Sequence, residues 1–130
     1  MTTAPASRPA PPVKKLLQAG VRVCSGSDGI RDTWSPYGNA DMLERAMFVG
    51  LRNNFRRDDE VRLALDVCTT EGAKVMEIEG YGLEVGCVAD LVLLPAESIA
   101  EAVATRPPQR RVIKRGKIVA RDGVSIRTAP

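Results

Sequence analysis

Apolar residues recur at i, i+3 and i+4 through Val13, Leu16 and Leu17, and Gly20 ends the run, which predicts a short amphipathic helix over Val13 to Ala19. The period then changes. Val21, Val23 and Cys24 form a compact β-favouring stretch that stops at Ser25-Gly26-Ser27-Asp28-Gly29, predicting a strand that delivers a polar loop at its C-terminal end. The loop runs on through Ile30 to Tyr37. Asn39 then offers an N-cap, Asp41 and Glu44 place negative charge in a first helical turn, and Leu43, Ala46, Met47, Gly50 and Leu51 mark one helical face. Asp58 or Asp59 caps a further helix whose inner face reads Val61, Ala64, Leu65 and Cys68.

The second half has a different texture. After a brief helical turn at Gly72 to Met76, the segment Tyr81 to Pro95 reads as turn, strand and turn, with Leu91 to Leu94 a buried apolar run. Ser98 to Ala104 forms a short helix. Arg111 to Ile113 and Lys117 to Ala120 flank Arg115-Gly116 as a hairpin, and Asp122-Gly123 supplies a second turn. Residues Thr2 to Pro12, rich in Ala, Pro, Ser and Thr, read by themselves as a leader or a loop.

Composition narrows the function classes. The chain has 130 residues, 44% of them hydrophobic, which suits one ordinary folded domain or two small units. A net charge of +3 with 4% aromatic residues argues against nucleic acid, which calls for basic patches and stacking platforms. The Arg52, Arg56 and Arg57 cluster has an ordinary explanation, because cations complement a helix C-terminus. Cys24, Cys68 and Cys87 make no CxxC pair and read as buried free thiols. No segment approaches the ~20 apolar residues of a membrane span, and no charged start precedes an apolar signal run. The chain therefore reads as soluble, cytoplasmic and without a membrane partner.

The loop after Cys24 is where chemistry could lie. A carboxylate among glycines at the end of a strand is where α/β folds place metal ligands and acid-base groups, and Asp28 fits that description. Ser-Asp-Gly is equally ordinary turn chemistry, so the pattern alone leaves both readings standing.

The stretch Val21-Arg-Val-Cys-Ser-Gly-Ser-Asp-Gly-Ile-Arg-Asp-Thr-Trp, followed by Pro36, Gly38, Asn39 and Met42, resembles the region around strand eight in cytosine deaminases of the amidohydrolase superfamily. Gly82-Leu-Glu-Val-Gly-Cys-Val-Ala-Asp-Leu-Val-Leu-Leu resembles that superfamily's return to its small β domain, and Arg111-Val-Ile-Lys-Arg-Gly-Lys-Ile-Val-Ala-Arg-Asp-Gly its closing hairpin. On the same resemblance, Thr2 to Pro12 looks like the loop after barrel strand seven. The resemblance implies an α/β fold: the last strand and flanking helices of a (β/α)8 TIM barrel over residues 1–80, then the C-terminal part of a small β-sandwich domain over residues 81–130. Such a barrel takes ~250 residues, so this one would be incomplete.

The resemblance further implies that Asp28 binds a divalent metal, zinc or iron, and takes a proton from the attacking water. Trp34, Arg31 and Asp32 would border the pocket of a nitrogen heterocycle. Ser27-Asp28-Gly29 stands where the better-known bacterial enzymes tend to carry His-Asp-Asp, which puts the substrate in doubt and leaves room for another amino-substituted or cyclic amide ring. The superfamily's other metal ligands are histidines, and this chain has none. One carboxylate cannot make a catalytic zinc or iron site, so the chain is expected to be inactive alone and to bind no metal by itself. It reads as a piece of a hydrolytic deaminase acting on cytosine or a related heterocycle. The alternative is a non-catalytic oligomerisation or regulatory remnant of that fold. The partners left open are a second copy of the chain or a complementary N-terminal polypeptide.

Overall fold

A computed structural model describes residues 9–126, so the expected loop at Thr2 to Pro12 lies mostly outside the described residues. Four helices come first: α1 (Val13–Gln18), α2 (Met42–Arg52), α3 (Asp58–Asp66) and α4 (Thr70–Val75). Strand β1 (Leu91–Leu93), helix α5 (Ile99–Thr105) and strands β2 (Arg111–Lys114), β3 (Lys117–Arg121) and β4 (Val124–Ser125) follow. The strands form one antiparallel sheet in sequence order, so the fold is a small α/β assembly with an antiparallel sheet.

Helices α2 and α3 meet through their smallest residues. Ala46 and Ala64 are fully buried, and a Cβ added to Gly50 would stand 3.9 Å from that of Ala64. On one side of this contact Val13 and Phe55 pack with Ala64 and Val67; on the other, Leu43 and Ala46 pack with Ala102 and Val103 of α5. Leu43, Ala46 and Gly50 of α2 and Ala64 of α3 bury the faces that the period marked, but Leu51, expected on the same face, is 61% exposed because it lies at the end of α2 beyond the packed turns.

The caps differ from the expected ones. Asp41, not Asn39, caps α2, its Oδ1 accepting the Leu43 N–H at 3.0 Å, while Asn39 Oδ1 accepts the Asp41 N–H at 2.9 Å. Neither Asp58 nor Asp59 caps α3. Both lie in its first turn, and Glu60 reaches back to accept the Arg56 and Arg57 N–H groups at 2.6 and 3.0 Å while pairing with Lys14. The competing principle is the capping box, in which the third helical residue satisfies the orphan donors ahead of the helix.

Three further expectations need correction. The stretch Val21 to Cys24 forms no strand, because no neighbouring strand pairs with it among the described residues; the Ser25 N–H that follows donates to the Val67 carbonyl at 2.8 Å. The run Leu91 to Leu94 is not buried throughout: Val92 and Leu93 are about half exposed, because the sheet is a single layer, while Leu94 reaches the α2–α5 core. The three thiols are free: Cys24 is exposed and Cys87 half-buried away from the clusters, whereas Cys68, half-buried, packs against both apolar clusters.

Two outcomes follow. Val67 has 0% exposure, so Val67→Ala should lower the unfolding free energy by roughly 2 kcal/mol in urea titration, the cost of lost burial plus a cavity. The three donors above hold the Glu60 carboxyl at about 2 against an ordinary 4.5, led by the Arg56 N–H and then Lys14. A depressed carboxylate stabilises the fold above its unfolded pKa and loses that contribution as pH falls through the folded one. Stability should therefore decline from pH 4.5 towards 2, and Glu60→Gln should flatten that part of the melting profile.

Candidate active site

The polar loop leaves the core at Ser25, whose backbone is tied to Val67, and passes α2, where Arg45 Nη2 donates to the Ser27 carbonyl at 3.3 Å. Arg45 also lies over the Phe48 ring at 5.9 Å, and its Nε is buried without an acceptor. Asp28 follows with φ of 57°, in the left-handed region that Asp enters more readily than most residues. Beyond it the chain closes on itself. The Arg31 N–H donates to the Tyr37 carbonyl at 3.0 Å, and the Asp32 N–H to the Ser35 carbonyl at 2.9 Å. Asp32 Oδ1 accepts the N–H groups of both Trp34 and Ser35 at 2.9 Å, a side chain substituting for a backbone turn partner.

This closure shapes a cavity of about 650 Å³ lined by Ser27, Asp28, Gly29 and Asp32, by Trp34 to Gly38 except Pro36, and by Glu44, Arg45 and Phe48 of α2. Three of the four residues expected at the site, Asp28, Asp32 and Trp34, are thus brought together. Arg31 is not among the lining residues; its backbone pins the loop instead. Trp34 is 95% exposed, so it is not held in place as a packing anchor. The helical wall was not anticipated. Glu44 and Phe48, at i and i+4 on the side of α2 away from Leu43, Ala46 and Gly50, carried the only available signal.

Electrostatically the cavity is acidic on its loop side. Asp28, Asp32 and Glu44 face it, against one cation, Arg45. Behind it, Asp41 at the start of α2 takes a two-pronged ion pair from Arg110 at 2.8 and 3.0 Å. Burial pushes the Asp41 carboxyl up, but the Arg110 guanidinium and the Leu43 and Glu44 N–H groups outweigh it and hold the group below the usual carboxylate range. Cys68, under the loop, goes the other way: burial raises its thiol to about 11, so it stays protonated and is no nucleophile at neutral pH.

The donor set for a metal is short. Among the described residues no three His, Cys, Asp or Glu side chains are gathered to hold an ion, and the sequence contains no histidine. Asp28 could contribute one oxygen ligand, but the residues present do not by themselves fit a divalent catalytic centre.

Residues 1–120 match the amidohydrolase family, whose members are generally metal-dependent. The N-isopropylammelide isopropyl amidohydrolase of Pseudomonas sp. strain ADP is 40% identical over 119 residues, which cover 91% of this chain and 30% of that protein. The crystal structure of N-isopropylammelide isopropylaminohydrolase from Burkholderia multivorans superposes with a TM-score of 0.89 at 51% identity, covering 96% of this chain and 32% of that one. That of 5-methylcytosine deaminase from Klebsiella pneumoniae, liganded with phosphonocytosine, gives 0.74 at 31% identity over 91% of this chain and 29% of its own. The chain therefore spans about a third of the length of the relatives it matches, and across nearly all of its own length it belongs to the amidohydrolase family.

Proposed function

We propose that this chain supplies the Asp28 side of a hydrolytic active site that releases an amine from a nitrogen heterocycle. One observation carries the reading: Asp28 and Trp34 line one cavity in a chain that belongs to the amidohydrolase family. The Asp28 carboxylate accepts a proton from the water that attacks the ring carbon and passes it to the ring or to the departing amine, whose C–N bond breaks as a ring carbonyl forms. Trp34 presents a flat apolar wall to the heterocycle. Arg31 shapes the loop through its backbone. The two N-isopropylammelide relatives favour an ammelide-type, amino-substituted ring over cytosine, and Ser27-Asp28-Gly29 leaves room for one.

Residues 1–80 then form the last units of a barrel and residues 81–130 the end of a small β domain. Val21 to Cys24, which pairs with no strand among the described residues, is the segment that barrel neighbours would flank. Because these 130 residues contain no histidine, the remaining ligands of a zinc or iron ion would lie outside them, and the segment alone is inactive.

Purified chain with added zinc or iron should release no amine from N-isopropylammelide. Expressed with a polypeptide carrying the histidine-bearing barrel strands, it should do so, and Asp28→Asn should lower kcat by about 10²-fold or more, the usual weight of a general base. Turnover by the chain alone, or an unimpaired Asp28→Asn, would refute the assignment. A co-expressed pair that assembles but never turns over would favour the non-catalytic remnant. In the active pair, Trp34→Ala should raise KM about tenfold with a smaller change in kcat, the signature of lost uniform binding.

A further inference from the structure

Gly29 has no φ in the left-handed region, so its backbone would accept any residue. Its requirement is spatial. A Cβ at position 29 would stand 2.0 Å from Asp32 Oδ2 and 2.7 Å from Asp32 Cγ, well inside contact distance. The carboxylate of Asp32 therefore occupies the space where a side chain beside Asp28 would begin. Its other oxygen holds the Trp34 and Ser35 N–H groups at 2.9 Å, and the backbone of Asp32 closes the turn through Ser35. Gly38 allows the two ends of the loop to meet, since a Cβ there would be 3.2 Å from the Gly29 carbonyl oxygen. One carboxylate thus spans from the residue after Asp28 to the backbone of Trp34, and it does so outside the helical core.

We infer that Asp32 is a positioning residue: it fixes Trp34 at the wall of the Asp28 cavity through the loop backbone, and Gly29 is the glycine that this carboxylate demands. It acts as a hydrogen-bond acceptor rather than through its charge. This deepens the role given above to Trp34 and rests on that reading for its consequence in catalysis, while the coupling between Gly29, Asp32 and Trp34 can be measured without any substrate.

The test is ¹⁵N relaxation of the Trp34 and Ser35 amides in the full chain. The wild type should give order parameters near ~0.85, Asp32→Ala should drop both below ~0.6, and Asp32→Asn, which keeps the acceptor, should restore them. Gly29→Ala should loosen the same two amides, and Gly29→Ala with Asp32→Ala should be no looser than Asp32→Ala alone, because both changes break one contact. Amides of α2 and α3 should stay rigid in every variant, separating a loosened loop from a failed fold. Rigid Trp34 and Ser35 amides in Asp32→Ala, or additive effects of the two alanines, would overturn the inference. In the complemented pair, kcat/KM for N-isopropylammelide should fall about tenfold in Asp32→Ala and recover in Asp32→Asn, whereas failure of Asn to rescue would make Asp32 a direct, charged substrate contact. If the pair turns over nothing in wild-type form, the functional reading fails and the relaxation data still decide the positioning role.

Discussion

The closeness of α2 to α3 is the constraint on which the rest is built. Ala46, Gly50 and Ala64 keep side-chain bulk out of the contact, so larger residues pack around it rather than through it. Val67 is buried at the end of α3, and its carbonyl is left facing the Ser25 N–H. A wider helix pair would move that carbonyl and the loop it holds. Close-packed interiors transmit such shifts rather than absorb them.

From that contact the site is reached in two short steps. The first is the bond from Val67 to Ser25, and the second the bond from Arg45 on α2 to the Ser27 carbonyl, immediately before Asp28. Asp41 serves both ends of the molecule, capping α2 and receiving the Arg110 fork from the approach to β2. The Arg110 N–H side also binds Asp122, so the hairpin, the helix start and the loop above it share one polar brace. Paired, half-buried and geometrically matched, this fork holds more than a surface ion pair does.

Much of this was legible in the sequence where a period or a special residue carried it. The helices at Val13, Met42 and Asp58 and the hairpin around Arg115-Gly116 follow from apolar spacing and turn chemistry. The caps were not legible, because Asn39, Asp41, Asp58 and Asp59 are all competent N-cap residues and only packing selects among them. Val21 to Cys24 forms no strand for a different reason: β preference is realised only against a neighbour, and no strand pairs with it among the described residues. Asp28, Asp32 and Trp34, singled out through the loop's resemblance to cytosine deaminases, line one cavity. Glu44, Arg45 and Phe48 were not singled out, because a helix period marks which face is buried and says nothing of which polar positions meet a loop. The exchange between Gly29 and the Asp32 carboxylate was also hidden, since it is a contact in space between residues with no periodic relation.

The chain thus carries a closed loop that brings Asp28 to a cavity, and its sequence contains no histidine. The most direct measurement is kcat/KM for N-isopropylammelide in a chimera of the Burkholderia multivorans enzyme whose matching segment, 32% of that chain, is replaced by this one. Activity retained in the chimera and abolished by Asp28→Asn is the result expected if this loop is an amidohydrolase half-site. A folded, inactive chimera, or one indifferent to Asp28→Asn, would contradict it.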